Sequence, residues 1–221
     1  MTTNVPLWQP TLERIALANI TQFTQRVASA TGRELSDYAA LWRWSNDERE
    51  AFWRAVWDYA GIIGQRGSRT LVDGHKMPGA RWFPDARLNF AENLLAVRGG
   101  DDAADALVFR GEDRDRRHVT HAELTAMTSR MASAMRSSGL AAGDRIAAYV
   151  PNLPEAVVAV LGATSFGAVW SSCSPDFGVR GVLDRFGQIE PRVLITVDGY
   201  WYNGKALPIT DKVAEIVRKY R

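Results

Sequence analysis

Short apolar runs and helical segments alternate along the second half of the chain. The runs occupy residues 145–150, 168–172 and 193–197, and a segment with helical spacing separates each from the next. A run, a helix and another run in this order predict parallel strands joined by right-handed β-α-β crossovers. Ligands of open α/β sheets bind beyond the carboxyl ends of the strands, so the residues after each run are the first candidates for function.

The first half of the chain predicts helices followed by an irregular segment. Residues 1–65 have helical periodicity, and Ser45 and Glu48 have the spacing of a capping box ahead of an apolar helix face. Residues 66–105 contain Gly and Pro and show little periodicity, apart from a short helix near residues 88–96.

The middle of the chain predicts a hairpin and a capped helix. Residues 106–110 and 117–120 alternate in polarity around a charged turn, and a second capping box at Thr120 opens the next helix. We therefore predict an α/β fold in two parts. A helical and irregular N-terminal extension covers residues 1–105, and a domain built from parallel β-α-β units covers residues 106–221.

Composition narrows the class of partner. The 221 residues are 46% hydrophobic and 24% charged, and a formal net charge of +2 does not indicate nucleic acid or an anionic membrane. Cys173 is the one cysteine, so no intrachain disulfide can form, and neither a secretory signal nor a membrane-spanning run is evident. The three histidines lack the spacing of metal ligands. We predict a cytoplasmic protein with small-molecule partners and no metal site of its own.

The last segment has an apolar helix face that needs a partner. Val213, Ile216, Val217 and Tyr220 follow helical spacing within residues 208–221, where the sequence ends. We expect the C-terminal remainder of a longer chain to cover this face. Without that remainder, the unpaired sheet edge and the apolar helix face predict self-association.

The pattern G-x-x-x-x-G-K at residues 199–205 matches the start of a nucleotide-binding P-loop. Ala206 stands where that loop needs Ser or Thr, the interior is aromatic, and Pro208 prevents a helix from beginning at the lysine. These three departures argue against a P-loop.

Five longer segments resemble a known family. They read LWRWSNDEREAFWRAVWDY, PGARWFPDARLNFAENLL, PNLPEAVVAVLGATSFGAVWSSCSPDFG, DRFGQIEP and TVDGYWYNGK. Together they resemble the acyl-CoA synthetases of the adenylate-forming superfamily, and the branch that acts on acetoacetate more than the branch that acts on acetate. The resemblance implies a helical N-terminal extension followed by the first part of the adenylating domain.

The same resemblance implies substrates and two candidate sites for coenzyme A. Such enzymes use ATP and Mg²⁺ to convert a carboxylate into an acyl-adenylate, and the thiol of CoA then displaces AMP. The loop that meets the CoA nucleotide has two basic positions around a small pair, and these positions fall on Tyr202, Asn203, Gly204 and Lys205. Residues lining the pantetheine channel fall on Ser174, Pro175, Asp176 and Phe177.

Both candidate sites have a plain structural alternative. Lys205 has the character of a solvated loop lysine beside a packed tyrosine. Asp176 has the character of a helix-capping residue in a βα loop. Tyr202 also departs from the arginine of the acetate-activating branch, so a guanidinium contact to phosphate is lost.

The ATP motifs of the family are absent from this sequence. No segment matches TSGTTGxPK or YGxTE, and no catalytic lysine can be assigned. We therefore assign no catalytic residue, expect the 221 residues alone to be inactive, and expect no tightly bound cofactor. A short-chain acyl-CoA synthetase with another substrate, such as acetate, and a non-catalytic module that binds nucleotide or CoA remain alternatives.

Overall fold

A computed structural model of the chain describes residues 6–97, 99–112 and 115–220. It divides into two units, Met1–Arg87 and Leu88–Arg221. This division lies between Arg87 and Leu88, whereas the boundary that we predict at residue 105 concerns the catalytic domain and stays a prediction. Among the described residues, none of the helices combines the length and the apolar character that crossing a membrane requires.

The first unit is helical and then irregular, as predicted. Its helices are α1 (Leu12–Leu17), α2 (Asn19–Thr31), α3 (Tyr38–Asp47) and α4 (Arg49–Tyr59). Four two-residue strands follow, β1 (Gly64–Gln65), β2 (Leu71–Val72), β3 (Arg81–Trp82) and β4 (Arg87–Leu88). The helices enclose a small core of four buried side chains, which are Phe23, Val27, Leu41 and Trp44.

The capping box predicted at Ser45 is wrong. Ser45 lies inside α3, and its hydroxyl donates to the carbonyl of Trp42 at 2.7 Å. The cap of α3 is Asp37, whose carboxylate accepts from the Ala40 N–H at 2.7 Å. Burial of Leu41 and Trp44 continues the helix through the polar stretch, so tertiary packing overrides the local capping pattern.

The second unit begins with a short helix and a hairpin. The helix α5 (Phe90–Leu95) is followed by the antiparallel strands β5 (Asp105–Arg110) and β6 (Arg116–Thr120), and then by helix α6 (His121–Ser137). The Thr120 hydroxyl accepts from the Glu123 N–H, and the Glu123 carboxylate accepts from the Thr120 N–H. The predicted hairpin and the second capping box are therefore confirmed.

The rest of the second unit contains a three-stranded parallel sheet, helices on both of its faces, and a separate antiparallel hairpin formed by its last two strands. Its elements are β7 (Arg145–Tyr149), α7 (Pro154–Ser165), β8 (Val169–Cys173), α8 (Val179–Phe186), β9 (Val193–Thr196), β10 (Gly199–Tyr202), β11 (Lys205–Pro208) and α9 (Thr210–Lys219). The strand order is β8-β7-β9, and both pairings are parallel, which confirms the predicted β-α-β units. The sheet has a hydrophobic core on each face, and alternate residues of β7 point into one or the other. Tyr149 packs with the side of α8 and α9, and Ile146 packs with the side of α6 and α7.

The expectation that the last helix lacks a partner is wrong for most of its apolar face. Ile216 is fully buried, and Val213 packs against the same core cluster, which includes Val182 and Phe186 of α8. The hairpin of β10 and β11 returns the chain to this face of the sheet. Val217 remains 42% exposed.

Candidate functional site

The carboxyl end of the sheet carries the predicted site residues. Strand β8 ends at Cys173 and leads into Ser174–Phe177, and strand β9 is followed by the hairpin of β10 and β11. Tyr149 and Cys173 are aligned in the register of β7 and β8, so both strands end at one level. This placement agrees with the usual position of ligand sites in α/β sheets.

Tyr149 fixes the loop that follows β8. Its side chain is fully buried, and its hydroxyl lies 2.8 Å from the carbonyl oxygen of Pro175 and 2.6 Å from that of Phe177. Burial raises the pKa of the Tyr149 phenol, which therefore stays a neutral donor. Sequence reasoning missed this role because Tyr149 closes an apolar run and gives no other signal.

Asp176 connects that loop to the hairpin. The Ser174 hydroxyl donates to one carboxylate oxygen of Asp176 at 2.7 Å, and the Tyr200 hydroxyl donates to the other at 2.7 Å. These two bonds, from Ser174 first and Tyr200 second, lower the pKa of Asp176. The bond to Asp176 in turn raises the pKa of Tyr200 to about 12. Asp176 does not cap α8, since the N-cap is Gly178 and receives no side-chain bond.

Phe177 forms an aromatic rim beside this network. Its side chain is 37% exposed, and the guanidinium carbon of Arg185 lies 4.0 Å from the ring centroid. Arg185 also donates to the carbonyl of Gly181 at 2.9 Å, one turn earlier in α8. The cation–π contact holds the ring at the surface.

The four residues predicted to meet the CoA nucleotide form the tip of the β10–β11 hairpin. Tyr202 and Lys205 face each other in the last pair of the ladder, and Asn203 and Gly204 make the turn between them. Both turn residues have positive φ, 51° at Asn203 and 72° at Gly204, as a two-residue type I′ turn requires. We did not predict this hairpin, although Asn-Gly between two short runs is its usual signal.

A carboxylate accepts a hydrogen bond from the backbone N–H at this tip. The Gly204 N–H donates to Glu112, at the end of the β5–β6 hairpin, over 3.0 Å. Nearby, a cavity of about 380 Å³ is lined by both hairpins and by the loop after β7, including Glu112, Asn152, Tyr200 and Trp201. The structure thus brings Ser174, Asp176 and Tyr200 together, and it brings Tyr202 and Lys205 together on the tip of the same hairpin.

The cysteine and a histidine that could suggest other chemistry have structural surroundings that explain them. Cys173 is buried, and burial raises the pKa of its thiol, which disfavours the nucleophilic thiolate. His118 Nδ1 lies 2.6 Å from an Asp105 carboxylate oxygen within the β5–β6 hairpin. The described residues contain no group of three His, Cys, Asp or Glu side chains that could hold a metal ion.

Comparison with known proteins identifies two family regions. Residues 38–94 match the acetyl-coenzyme A synthetase N-terminus, and residues 97–220 match the AMP-binding enzyme family. The chain is 49% identical to acetoacetyl-coenzyme A synthetase of Rhizobium meliloti (strain 1021), over 96% of this chain and 32% of that protein. It is 40% identical to malonamoyl-CoA synthetase vrtB of Penicillium aethiopicum, over 88% of this chain and 28% of that protein.

A solved structure supports the same assignment. Acetoacetyl-CoA synthetase from Streptomyces lividans superposes with a TM-score of 0.90 and 46% identity, over 98% of this chain and 34% of that chain. The match confirms the predicted fold class and the predicted resemblance. The chain spans about a third of the length of these relatives. Because the AMP-binding region covers more than half of the residues, the chain belongs to the AMP-binding enzyme family.

Proposed function

We propose that this chain is the CoA-facing N-terminal part of an acid–CoA ligase that activates acetoacetate. In the proposed reaction, ATP converts the carboxylate into an acyl-adenylate and releases pyrophosphate. The CoA thiolate then attacks the acyl carbon, and AMP leaves as the C–S bond forms. The similarity to acetoacetyl-CoA synthetases from Rhizobium meliloti and Streptomyces lividans supports this assignment.

The chemistry of the hairpin tip supports a phosphate contact. No carboxylate in the described ranges forms an ion pair with Lys205, whose side chain is exposed on β11. The neighbouring Gly204 N–H already binds an anion, the Glu112 carboxylate. An ammonium with no ion pair among the described residues, next to an amide that binds an anion, suits a phosphate, because charge-assisted bonds to phosphate are stronger than neutral ones. This pairing of Lys205 with Gly204 is the observation that carries the CoA assignment.

The loop after β8 supports a contact to the thinner part of CoA. Ser174, Asp176 and Tyr200 hold one another, so the loop is fixed before any ligand arrives. Phe177 offers an exposed apolar ring next to these polar groups. We assign residues 174–177 to the wall that the pantetheine arm passes.

ATP and Mg²⁺ belong to the proposed reaction, and the family's ATP motifs TSGTTGxPK and YGxTE do not occur in these 221 residues. The proposal therefore assigns the adenylating chemistry to the remaining two thirds of the relatives' length. It includes a cytoplasmic location and a role in lipid metabolism, where acetoacetate is a ketone body.

A second acid is a genuine alternative substrate. The chain is 40% identical to a malonamoyl-CoA synthetase and 38% identical to the acetoacetyl-CoA synthetase of Xenopus tropicalis. Relatives named for two different acids therefore both match this third of the protein at about 40% identity, which keeps a second substrate open although the Rhizobium meliloti relative is 49% identical. Malonamate, the acid implied by that relative's name, is the second candidate substrate.

The test uses the complete protein that contains this chain, and the 221 residues alone as a comparison. Pyrophosphate exchange and thioester formation are measured with acetoacetate, acetate and malonamate. We expect acetoacetate to give the highest kcat/KM with the complete protein, and the 221 residues to give no exchange. Exchange without thioester formation would refute the CoA ligase. A higher kcat/KM with malonamate than with acetoacetate would make malonamate the assigned substrate.

Lys205→Ala tests the CoA contact separately. A charge-assisted bond contributes about 1.5–3 kcal/mol, so the KM for CoA should rise about tenfold after allowance for solvent screening. Pyrophosphate exchange should stay unchanged because the first half-reaction does not use CoA. Lys219→Ala is the matched control, since it removes only a surface ion pair with Glu215. Unchanged CoA kinetics in Lys205→Ala would refute the phosphate contact.

A further inference from the structure

The helical unit contains a cavity that the proposed function does not use. It lies among α2, α3 and α4 and has a volume of about 450 Å³. Its apolar lining includes Phe23, Val27 and Trp44, which are 7%, 5% and 5% exposed. A volume of this size is within the usual range for small-molecule sites. All of its lining residues lie within Met1–Arg87, whereas the CoA candidates lie in the other unit.

The charges around this cavity are unbalanced. Four arginines line it, and two of them are neutralised by carboxylates. Arg33 pairs with Glu48 at 2.5 Å, and Arg66 pairs with Asp58 at 2.8 Å. Arg26 and Arg54 have no ion pair with any residue that the structure describes. Two guanidinium groups that have no carboxylate partner in the described part of the chain therefore border an apolar floor.

The floor also holds an unsatisfied donor. The indole N–H of Trp44 is buried, and it has no hydrogen-bond acceptor among the described residues. The N–H has almost no accessible surface, so it lies beside the cavity as a reporter of binding and is not itself a contact for a ligand. The Arg33 guanidinium lies 5.8 Å from the Trp44 ring centroid and belongs to the same wall.

We propose that this cavity binds an amphipathic monocarboxylate. The carboxylate meets Arg26 and Arg54, whose planar forks match its two oxygens. The alkyl body covers the floor of Phe23, Val27 and Trp44. An inorganic anion leaves the apolar floor uncovered, and a neutral alkane leaves two guanidinium groups unpaired.

Octanoate is the probe, with the 221-residue chain as the receptor. The indole N–H resonance of Trp44, assigned with Trp44→Phe, reports binding in a titration monitored by NMR. We expect a saturable shift of this resonance with octanoate. The affinities for 1-octanol and for acetate should each be lower than that for octanoate by about tenfold or more. The indole resonance of Trp201, in the other unit, should not move. Equal affinity for octanol and octanoate, or no shift at Trp44, would overturn the proposal.

Charge variants separate the site from general apolar binding. The double variant Arg26→Gln, Arg54→Gln should lose the preference for octanoate over octanol, and Arg43→Gln on exposed α3 surface should not. Ala30→Phe narrows the cavity and keeps both charges, so it should weaken octanoate binding even if the double variant fails to fold. Octanoate affinity that survives either change overturns the assignment.

Discussion

Removing the Tyr149 hydroxyl tests how the candidate CoA loop is held. The Tyr149→Phe substitution keeps the buried ring and deletes the one donor shared by the carbonyls of Pro175 and Phe177. Phe177 is 37% exposed, so its carbonyl can turn to water, whereas Pro175 is fully buried. One orphaned buried carbonyl should cost about 1–2 kcal/mol in the free energy of unfolding.

Chemical denaturation and thermal melting measure this loss. For a chain of this size the loss corresponds to a fall in Tm of about 2–8 °C. The m-value should not change, because the surface exposed on unfolding is the same. Tyr202→Phe is the matched control, since that side chain is 58% exposed, and its unfolding free energy should stay within about 0.5 kcal/mol of wild type.

Hydrogen exchange shows whether the loss is local. The Phe177 N–H donates to the Ser174 carbonyl at 3.2 Å, and its exchange should accelerate in Tyr149→Phe. Amides of β9 should keep their protection relative to the global stability. A variant as stable as wild type, with an unchanged Phe177 amide, would refute the view that Tyr149 fixes this loop.

Three further changes probe the second unit. Tyr200→Phe removes a hydrogen bond that lowers the pKa of Asp176. In the wild type, this bond stabilises the fold at pH values above the unfolded Asp pKa of about 4, and the stabilisation is lost as the pH falls through the folded pKa. The pKa of Tyr200 is raised to about 12, so the same contribution is present below pH 10 and is lost as the pH rises through about 12. Urea denaturation measures the difference in unfolding free energy between wild type and Tyr200→Phe. This difference should be constant from about pH 5 to 9. Gly162→Ala places a Cβ 2.9 Å from the Met131 Cγ, and overpacking should outweigh the gain in helix propensity by about 1 kcal/mol in denaturation. Glu112→Gln in the complete protein removes a negative charge from the hairpin tip and should lower the KM for CoA about two- to fivefold, and a higher KM would count against a phosphate there.

The parallel sheet could be predicted because its signal is strong and redundant. The runs that became β7, β8 and β9 are apolar, short and separated by helical segments, and one handedness satisfies such a topology. The Thr120 capping box was equally local, since two side chains three residues apart satisfy each other. The signals that predict these elements come from residues close together in the sequence.

The errors arose where distant packing decides the structure. Ser45 has the local pattern of a cap, yet Leu41 and Trp44 keep it inside α3. The partner of α9 could not be read from the sequence, because the β10–β11 hairpin lies between β9 and α9 and returns α9 to the core that it shares with α8. The β10–β11 hairpin is hard to predict because residues 199–205 contain both the G-x-x-x-x-G-K pattern of a phosphate loop and the Asn203-Gly204 turn signal of a hairpin.

The candidate site divides into groups that hold it in place and groups that we propose to meet the ligand. Tyr149 is fully buried, whereas Tyr202 is 58% exposed and Lys205 lies on the surface of the hairpin tip. Because a type I′ turn sets the separation of Tyr202 and Lys205, side-chain chemistry can change there without moving the backbone. Loss of Tyr149 should therefore change stability and CoA binding together, and loss of Lys205 should change CoA binding alone. Seeing that separation in one protein would distinguish a built CoA surface from a solvated hairpin.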